Sequence, residues 1–309
     1  MDLLIKLLKL KPEELKIFLY KYLKEKGMPT ISEEGYVYAE GDIPILLVAH
    51  MDTVFDEPPK IVEYSKKYDI LYNPFGGLGG DDRCGVYAIL KLLEKYRPHI
   101  LFTEDEEIGG IGAMYATCSL PKPDVKYIIE FDRRGKKDCV FYDCGNQNFM
   151  DYVEAFGFET DYGTFTDISI LGEEWDIAAV NLSSGYYNEH TEEEFIIFSE
   201  LRKTIKRVEA MIDNLEYALY FDHQTIKYKR PYFVQGAEDD YDDYLIDYYD
   251  SSYDIVYDTS VQPSQEQPLT IASNQLRIED KEGPRLLLEM KNNRPSKNEE
   301  RGKISCDKY

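Results

Sequence analysis

The sequence is poor in cysteine and in positive charge, and each shortage excludes a class of protein. Its 309 residues include five cysteines with no C-x-x-C pair, which indicates neither a disulfide framework nor a thiolate metal site. Lys and Arg number 36 against 59 Asp and Glu, a formal net charge of −23. We therefore expect no nucleic acid and no membrane as partner, because both require clustered positive charge.

Long apolar runs are missing as well. No run reaches the roughly 18 residues that a membrane-spanning helix needs. The first residues, MDLLIKLLKLKPEELK, mix an acid and lysines with leucines and do not follow the pattern of a secretory signal. We expect a cytoplasmic protein with reduced thiols. With 43% apolar residues, the chain has enough hydrophobic side chains for a sizeable core.

Four apolar runs alternate with helical patterns in the first 215 residues. The runs are IPILLVA, HILFT, VKYIIEF and IAAVNL, and continuous runs of this kind are typical of strands that are covered on both faces. The alternation predicts an α/β fold with a mostly parallel central sheet and helices on both faces. The last predicted helix covers residues 192–215, and we interpret Glu192, Glu193 and Glu194 as favourable charges in its first turn.

The pattern changes near residue 222. Residues 238–258 contain nine acids, six tyrosines and no basic residue. Such a segment has too few aliphatic side chains to offset the entropy of ordering. We predict one folded domain over residues 1–222 and an acidic, Tyr/Asp-rich, flexible C-terminal tail over residues 223–309. The alternative is a linear segment that docks on a basic partner or on this protein's own surface.

Histidines and carboxylates follow each of the predicted buried strands. In open α/β sheets, side chains at the carboxyl ends of the strands converge on one edge, where ligands bind. Carboxylate and imidazole groups without thiolate suit Zn²⁺, Mn²⁺ or Co²⁺. The residues in these positions are His50, Asp52, Asp81, Glu106, Glu107, Asp132 and His190.

Five short motifs occur in a recognisable order: AHMDT, GGDDRCG, EDEEIGG, EFD and NEHTEEE. In this order the chain resembles the co-catalytic di-zinc exopeptidase superfamily, which includes zinc aminopeptidases, tripeptidase T and acetylornithine-deacetylase-like metallopeptidases. Each motif alone is a weak signal, but five in order, each near the end of a predicted strand, are a strong one. The resemblance covers about residues 1–215.

The resemblance implies two Zn²⁺ ions, with Mn²⁺ or Co²⁺ as possible substitutes. Glu106 would be the general base for attack of water on a peptide or amide carbonyl, and Asp52 would orient the imidazole of His50. It also implies a cis peptide between Asp81 and Asp82. The implied ligands are His50 and Asp132 for one ion, Glu107 and His190 for the other, and Asp81 between the two.

The chain departs from the lid-bearing members of this superfamily. Only 58 positions separate Asp132 from His190, which is too short for an inserted lid and dimerisation domain. We therefore expect a compact, lidless protein that is a monomer, or that oligomerises through a surface other than a lid. Four residues are candidates for substrate binding by position alone: Tyr186, Tyr187, Asp167 and Arg133. The alternative for Arg133 is that it is a solvated arginine on the surface.

The sequence is compatible with three functions. The first is a zinc-dependent exopeptidase, either an aminopeptidase or a dipeptidase, acting on a peptide substrate. The second uses the same metal site as an amidohydrolase that deacylates a small N-acyl amino acid. The third is a non-catalytic metal-binding scaffold that acts through the acidic tail.

Overall fold

The structure is a computed structural model that describes residues 1–218 and residue 221. The predicted tail over residues 223–309 lies outside the described residues, so the boundary at residue 222 stays a prediction. Seven α-helices and twelve strands occupy the described part of the chain. No helix in that part is both long and apolar enough to cross a membrane.

The described chain begins with two helices and five strands, and single helices then alternate with one to three strands. The helices are α1 (Asp2–Leu8), α2 (Pro12–Glu25), α3 (Gly80–Leu92), α4 (Ile111–Ser119), α5 (Gln147–Glu154), α6 (Asp167–Trp175) and α7 (Phe198–Asp213). The strands are β1 (Thr30–Glu33), β2 (Tyr36–Ala39), β3 (Ile43–His50), β4 (Glu63–Ser65), β5 (Ile70–Tyr72), β6 (Pro98–Thr103), β7 (Ile128–Arg133), β8 (Asp138–Val140), β9 (Glu159–Thr160), β10 (Ala179–Ser183), β11 (Tyr186–Tyr187) and β12 (Phe195–Ile197).

The central sheet has eight strands in the order β1-β2-β6-β3-β7-β10-β8-β9. Its four middle strands, β6, β3, β7 and β10, are mutually parallel. The hairpin β1-β2 adds to one side antiparallel to β6, and β8 adds to the other side antiparallel to β10. The predicted α/β class and its mostly parallel centre are therefore confirmed.

Strand β3 explains why its sequence is a continuous apolar run. Ile45, Leu47 and Ala49 belong to a core on one face of the sheet, which α1, α2, α3, α5 and α7 cover. Leu46 and Val48 belong to a second core on the other face, beneath α4 and α6. Successive side chains of a strand point to opposite faces, so a strand with helices on both sides needs an apolar residue at every position.

Three parts of the fold differ from the sequence prediction. Strands β11, β12, β5 and β4 form a separate four-stranded antiparallel sheet, which the sequence did not indicate as a unit. The predicted helix over residues 192–215 is shorter, because residues 195–197 pair with β5 as a strand and α7 begins only at Phe198. Glu192, Glu193 and Glu194 are consequently not in a first helical turn, and that interpretation is wrong. Helices α4 and α6 were not predicted at all.

Phe149 is the centre of an aromatic cluster in which α5 and residue 221 pack against the sheet. It is fully buried, and its ring centroid lies 5.5 Å from that of Tyr127, 5.6 Å from that of Phe141 and 5.0 Å from that of Phe221. We expect Phe149→Ala to lower the free energy of unfolding by about 3–5 kcal/mol, because the large cavity it leaves cannot fully collapse. Urea denaturation would measure this, with Phe75→Ala, at a half-exposed ring, as the control expected within about 0.5 kcal/mol of wild type.

Candidate metal centre and active site

The carboxyl ends of the middle strands bring the predicted ligands to one edge of the sheet. His50 is the last residue of β3, and Asp132 lies at the end of β7. The loop after β6 carries Glu106 and Glu107, and the loop after β11 carries His190. Because β6, β3 and β7 are parallel neighbours, their ends meet at this edge.

The first ligand group consists of His50, Asp81 and Asp132, whose donor atoms all lie within 4.8 Å of one another. Nε2 of His50 lies 3.0 Å from Oδ1 of Asp81 and 3.5 Å from Oδ1 of Asp132. The imidazole of His50 is fully buried. Three such donors, two carboxylates and one imidazole, are a ligand set that Zn²⁺ accepts.

The second ligand group consists of Asp81, Glu107 and His190, again with donor atoms within 4.8 Å. Nε2 of His190 lies 3.2 Å from Oδ2 of Asp81 and 3.0 Å from Oε1 of Glu107. The two oxygens of Asp81 thus face different histidines, which is the arrangement of a bridging carboxylate. The peptide between Asp81 and Asp82 is cis, as the resemblance implies.

The electrostatics of both groups fit a bound cation. Burial and the charge of Asp132 raise the pKa of Asp81 to about 6. Hydrogen bonds to Asp81 and Glu107 raise the pKa of His190 to about 10. Without a cation, protons on the imidazoles of His50 and His190 offset part of the negative charge of these carboxylates. A divalent cation would supply the same compensation and would displace those protons, since metal ligands must be deprotonated.

Asp52 connects one ligand to the loop after β6. Its Oδ1 lies 3.2 Å from Nδ1 of His50, on the side of the ring that faces away from Asp81. The same carboxylate accepts hydrogen bonds from the backbone N–H groups of Glu106 and Glu107, at 3.2 and 3.1 Å. Burial alone would raise the pKa of Asp52, but the bond to His50 lowers it to about 2. Asp52 therefore stays ionised and orients both the imidazole and the loop that carries Glu106.

Asp132 is held by partners that the sequence did not reveal. The hydroxyl of Tyr186 donates to its Oδ1 at 3.1 Å, and the side-chain amide of Asn181 bonds to its backbone. The Thr166 hydroxyl lies 2.8 Å from both Asp132 Oδ2 and Glu130 Oε2. Burial and the charge of Asp132 raise the pKa of Glu130 well above its usual value. One hydroxyl has one proton, so both contacts are satisfied when Glu130 is protonated.

Glu106 lines the same cavity as the candidate ligands Asp81, Glu107 and Asp132. The cavity has a volume of about 420 Å³ and is open to solvent, a size that accommodates a small molecule. Burial and the negative charge of Asp132 raise the pKa of Glu106 to about 9 in the absence of cations. Two nearby divalent charges would oppose that shift. Glu106 is not a member of either ligand group.

The four candidate substrate contacts lie in different places. Arg133 lines the cavity and forms an ion pair with Asp161 at 2.6 Å. Tyr186 also lines it, although its hydroxyl is engaged with a ligand. Tyr187 is outside the cavity wall, where its hydroxyl donates to Glu200. Asp167 is fully buried and accepts a hydrogen bond from the Thr103 hydroxyl. The structure therefore brings only Arg133 and Tyr186 to the cavity.

Other polar residues near the motifs have structural partners. Glu104 accepts hydrogen bonds from Lys16 at 2.5 Å and from the backbone of Gly35, outside the cavity. Nδ1 of His99 bonds to the hydroxyl of Tyr38 at 2.9 Å. Glu104 and His99 therefore have structural partners and do not line the cavity. Arg134, Tyr142 and Glu189 also line the cavity.

Fold and site together define a class of protein. A parallel sheet with helices on both faces carries, at its carboxyl edge, two histidine–carboxylate groups that share one aspartate, with a further glutamate in the same cavity. This is the arrangement of hydrolases that use two metal ions.

Comparisons with solved structures agree with this fold. The chain is similar to the aminopeptidase PepT from Bacillus cereus (15% identity, TM-score 0.56, covering 70% of this chain and 97% of that one). It is similar to a tripeptidase from Staphylococcus aureus (13% identity, TM-score 0.56, covering 69% of this chain and 96% of that one). It is also similar to PhTET1-12s, described as a dodecamer (15% identity, TM-score 0.52, covering 67% of this chain and 97% of that one). No protein-family model matches the sequence, and no curated protein matches it.

These likenesses confirm the predicted zinc-exopeptidase-like fold. They also bear on the predicted oligomeric state, because one of the similar structures is a dodecamer. The expectation of a monomer gains no support from them. In the span between Asp132 and His190, the described residues form β8–β11, α5 and α6 and contain no inserted lid domain.

Proposed function

We propose that this protein is a metal-dependent exopeptidase that binds two Zn²⁺ ions and cleaves a terminal residue from a short peptide. One observation carries the proposal: two ligand groups share Asp81 in a cavity that Glu106 also lines. His50 and Asp132 would hold one ion, Glu107 and His190 the other. The similar structures are described as an aminopeptidase and a tripeptidase, which supports the choice of an amide bond as the substrate.

Two divalent cations at these positions would act as Lewis acids on the substrate carbonyl and would favour ionisation of a water molecule. Glu106 would accept a proton from the attacking water and return it to the leaving amine. Asp52 would keep the Glu106 loop in place through the backbone bonds described above. Tyr186 and Thr166, which donate to Asp132, would keep its carboxylate ionised and oriented.

The cavity wall suggests how a peptide would be recognised. Tyr162 and Phe165 are aromatic groups at its mouth, with 77% and 43% of their surface exposed. They offer apolar area for a substrate side chain, whereas Arg133 and Arg134 offer positive charge for a substrate carboxylate. Each arginine is paired with an acid, Asp161 and Glu189 respectively. A free carboxylate would therefore have to compete with an existing ion pair.

The test is a substrate panel with metal content measured on the same sample. The panel contains an aminoacyl substrate, a peptide with a free carboxyl terminus and an N-acetyl amino acid, each assayed before and after chelation. We expect about two ions per chain and chelator-sensitive release of a terminal residue from a peptide. Hydrolysis of only the N-acetyl compound would favour the amidohydrolase, and metal binding without any hydrolysis would favour the scaffold.

A further inference from the structure

Glu194 receives four hydrogen bonds from consecutive backbone N–H groups. Oε2 accepts from Leu78 at 3.1 Å and from Gly79 at 2.6 Å, while Oε1 accepts from Gly80 at 2.8 Å and from Asp81 at 3.1 Å. Glu194 is 1% exposed. It lies 113–116 positions from these partners, on the loop between β11 and β12.

The loop before α3 is shaped to surround a carboxylate. Consecutive N–H groups that converge on one point form a backbone concavity for an anion. Gly79 has a φ of +73°, which glycine adopts without strain. At Gly80, a Cβ atom would lie 3.1 Å from Oε1 of Glu194, tighter than an ordinary contact. The anion in this concavity is supplied by the chain itself.

The last N–H group of this loop belongs to Asp81, whose side chain is common to both ligand groups. Glu194 also lies four positions after His190, so one short loop supplies a ligand and holds the peptide that carries the shared aspartate. Glu194 itself belongs to neither ligand group and does not line the cavity. Its effect on the site must therefore pass through the backbone of residues 78–81.

We propose that Glu194 is a positioning residue that fixes the shared carboxylate of Asp81 between His50 and His190, so that both cations can bind at once. This inference rests on the proposed two-cation function. Partners that orient metal ligands without touching the metal typically contribute about 10–100-fold in metal affinity or activity.

The test compares Glu194→Gln with Glu192→Gln, which removes the same charge from an exposed position in the same loop. The amide of Gln has nearly the same shape, but its NH₂ group would face two N–H donors, so two of the four bonds are lost. We expect Zn²⁺ to bind about 10–100-fold more weakly to Glu194→Gln, measured by competition with a chromogenic chelator. We expect kcat to fall while KM changes little, since other loops line the cavity. Glu192→Gln should match wild type.

Melting temperatures separate positioning from general stability. A purely structural role would lower the melting temperature of the metal-free protein and leave the rise on adding Zn²⁺ unchanged. A positioning role reduces that rise, because the rise depends on metal affinity. If Glu194→Gln is insoluble, Gly80→Ala is tested instead. This variant keeps the Glu194 carboxylate but places a methyl group against it. We expect it also to weaken Zn²⁺ binding.

Wild-type affinity and an unchanged Zn²⁺-induced rise in the soluble variant would overturn the role of Glu194 and leave the proposed function intact. Failure of the wild-type protein itself to bind two ions would overturn both.

Discussion

Glu106→Gln should retain both metal ions and lose about 10²–10⁴-fold in kcat, the contribution typical of a general base. The amide has nearly the same shape as the carboxylate, so the cavity wall and the ligand groups should be preserved. It cannot accept a proton from water at neutral pH. Because Glu106 lines the cavity but belongs to neither ligand group, the loss should fall on turnover and leave metal content unchanged.

The matched control is Glu104→Gln, two positions earlier in the same loop. Glu104 pairs with Lys16 on the side away from the cavity, so its substitution should leave kcat within a few-fold of wild type. The measurements are steady-state kinetics on the best substrate of the panel and elemental analysis of each variant. Near-full turnover by Glu106→Gln would show that another group takes the proton. Loss of metal instead would place Glu106 among the ligands.

Much of this site could be predicted from the sequence because the ligands follow buried parallel strands. A continuous apolar run such as that of β3 indicates a covered strand, and the residue at its end is at the functional edge of the sheet. His50 and Asp132 could therefore be placed at the same edge without any distance information, and the resemblance implied that they share one ion. The order of the motifs then indicated which carboxylates accompany them.

Tyr186 and Tyr187 show what the sequence could not decide. They are neighbours on β11, a strand of two residues, and neighbouring side chains of a strand point to opposite faces. One therefore reaches Asp132, and the other stacks on Phe195, at 5.2 Å between ring centroids. Without knowledge of that short strand, both were equal candidates for substrate contact.

Glu194 is missed for a different reason. Its neighbours Glu192 and Glu193 make it look like part of an acidic first helical turn, a local pattern with a favourable local explanation. The partners that decide its role are backbone groups more than 110 positions away. A backbone N–H leaves no trace in the identity of a residue. The sequence shows four glycines there, at positions 76, 77, 79 and 80, but not the groups that their backbone binds.

Asp81→Asn should cause the largest loss of metal of any single ligand substitution. Its two carboxylate oxygens lie 3.0 Å from Nε2 of His50 and 3.2 Å from Nε2 of His190. An asparagine has one oxygen acceptor, and its NH₂ group cannot ligate a cation. It also removes a negative charge that both cations would share. We expect Zn²⁺ affinity to fall at both positions, by more than the roughly 100-fold that marks the upper range for partners outside the ligand set.

Comparison with Glu107→Gln makes this result specific. Glu107 belongs to the second group alone, so its substitution should leave about one tightly held ion per chain, whereas Asp81→Asn should retain fewer. Asp105→Asn, the same chemical change at an exposed residue of a neighbouring loop, should retain about two. Elemental analysis after dialysis against a fixed free Zn²⁺ concentration provides all three values. Equal metal content in Asp81→Asn and Glu107→Gln would mean that Asp81 serves one ion, and the two groups would then be independent sites without a shared bridge.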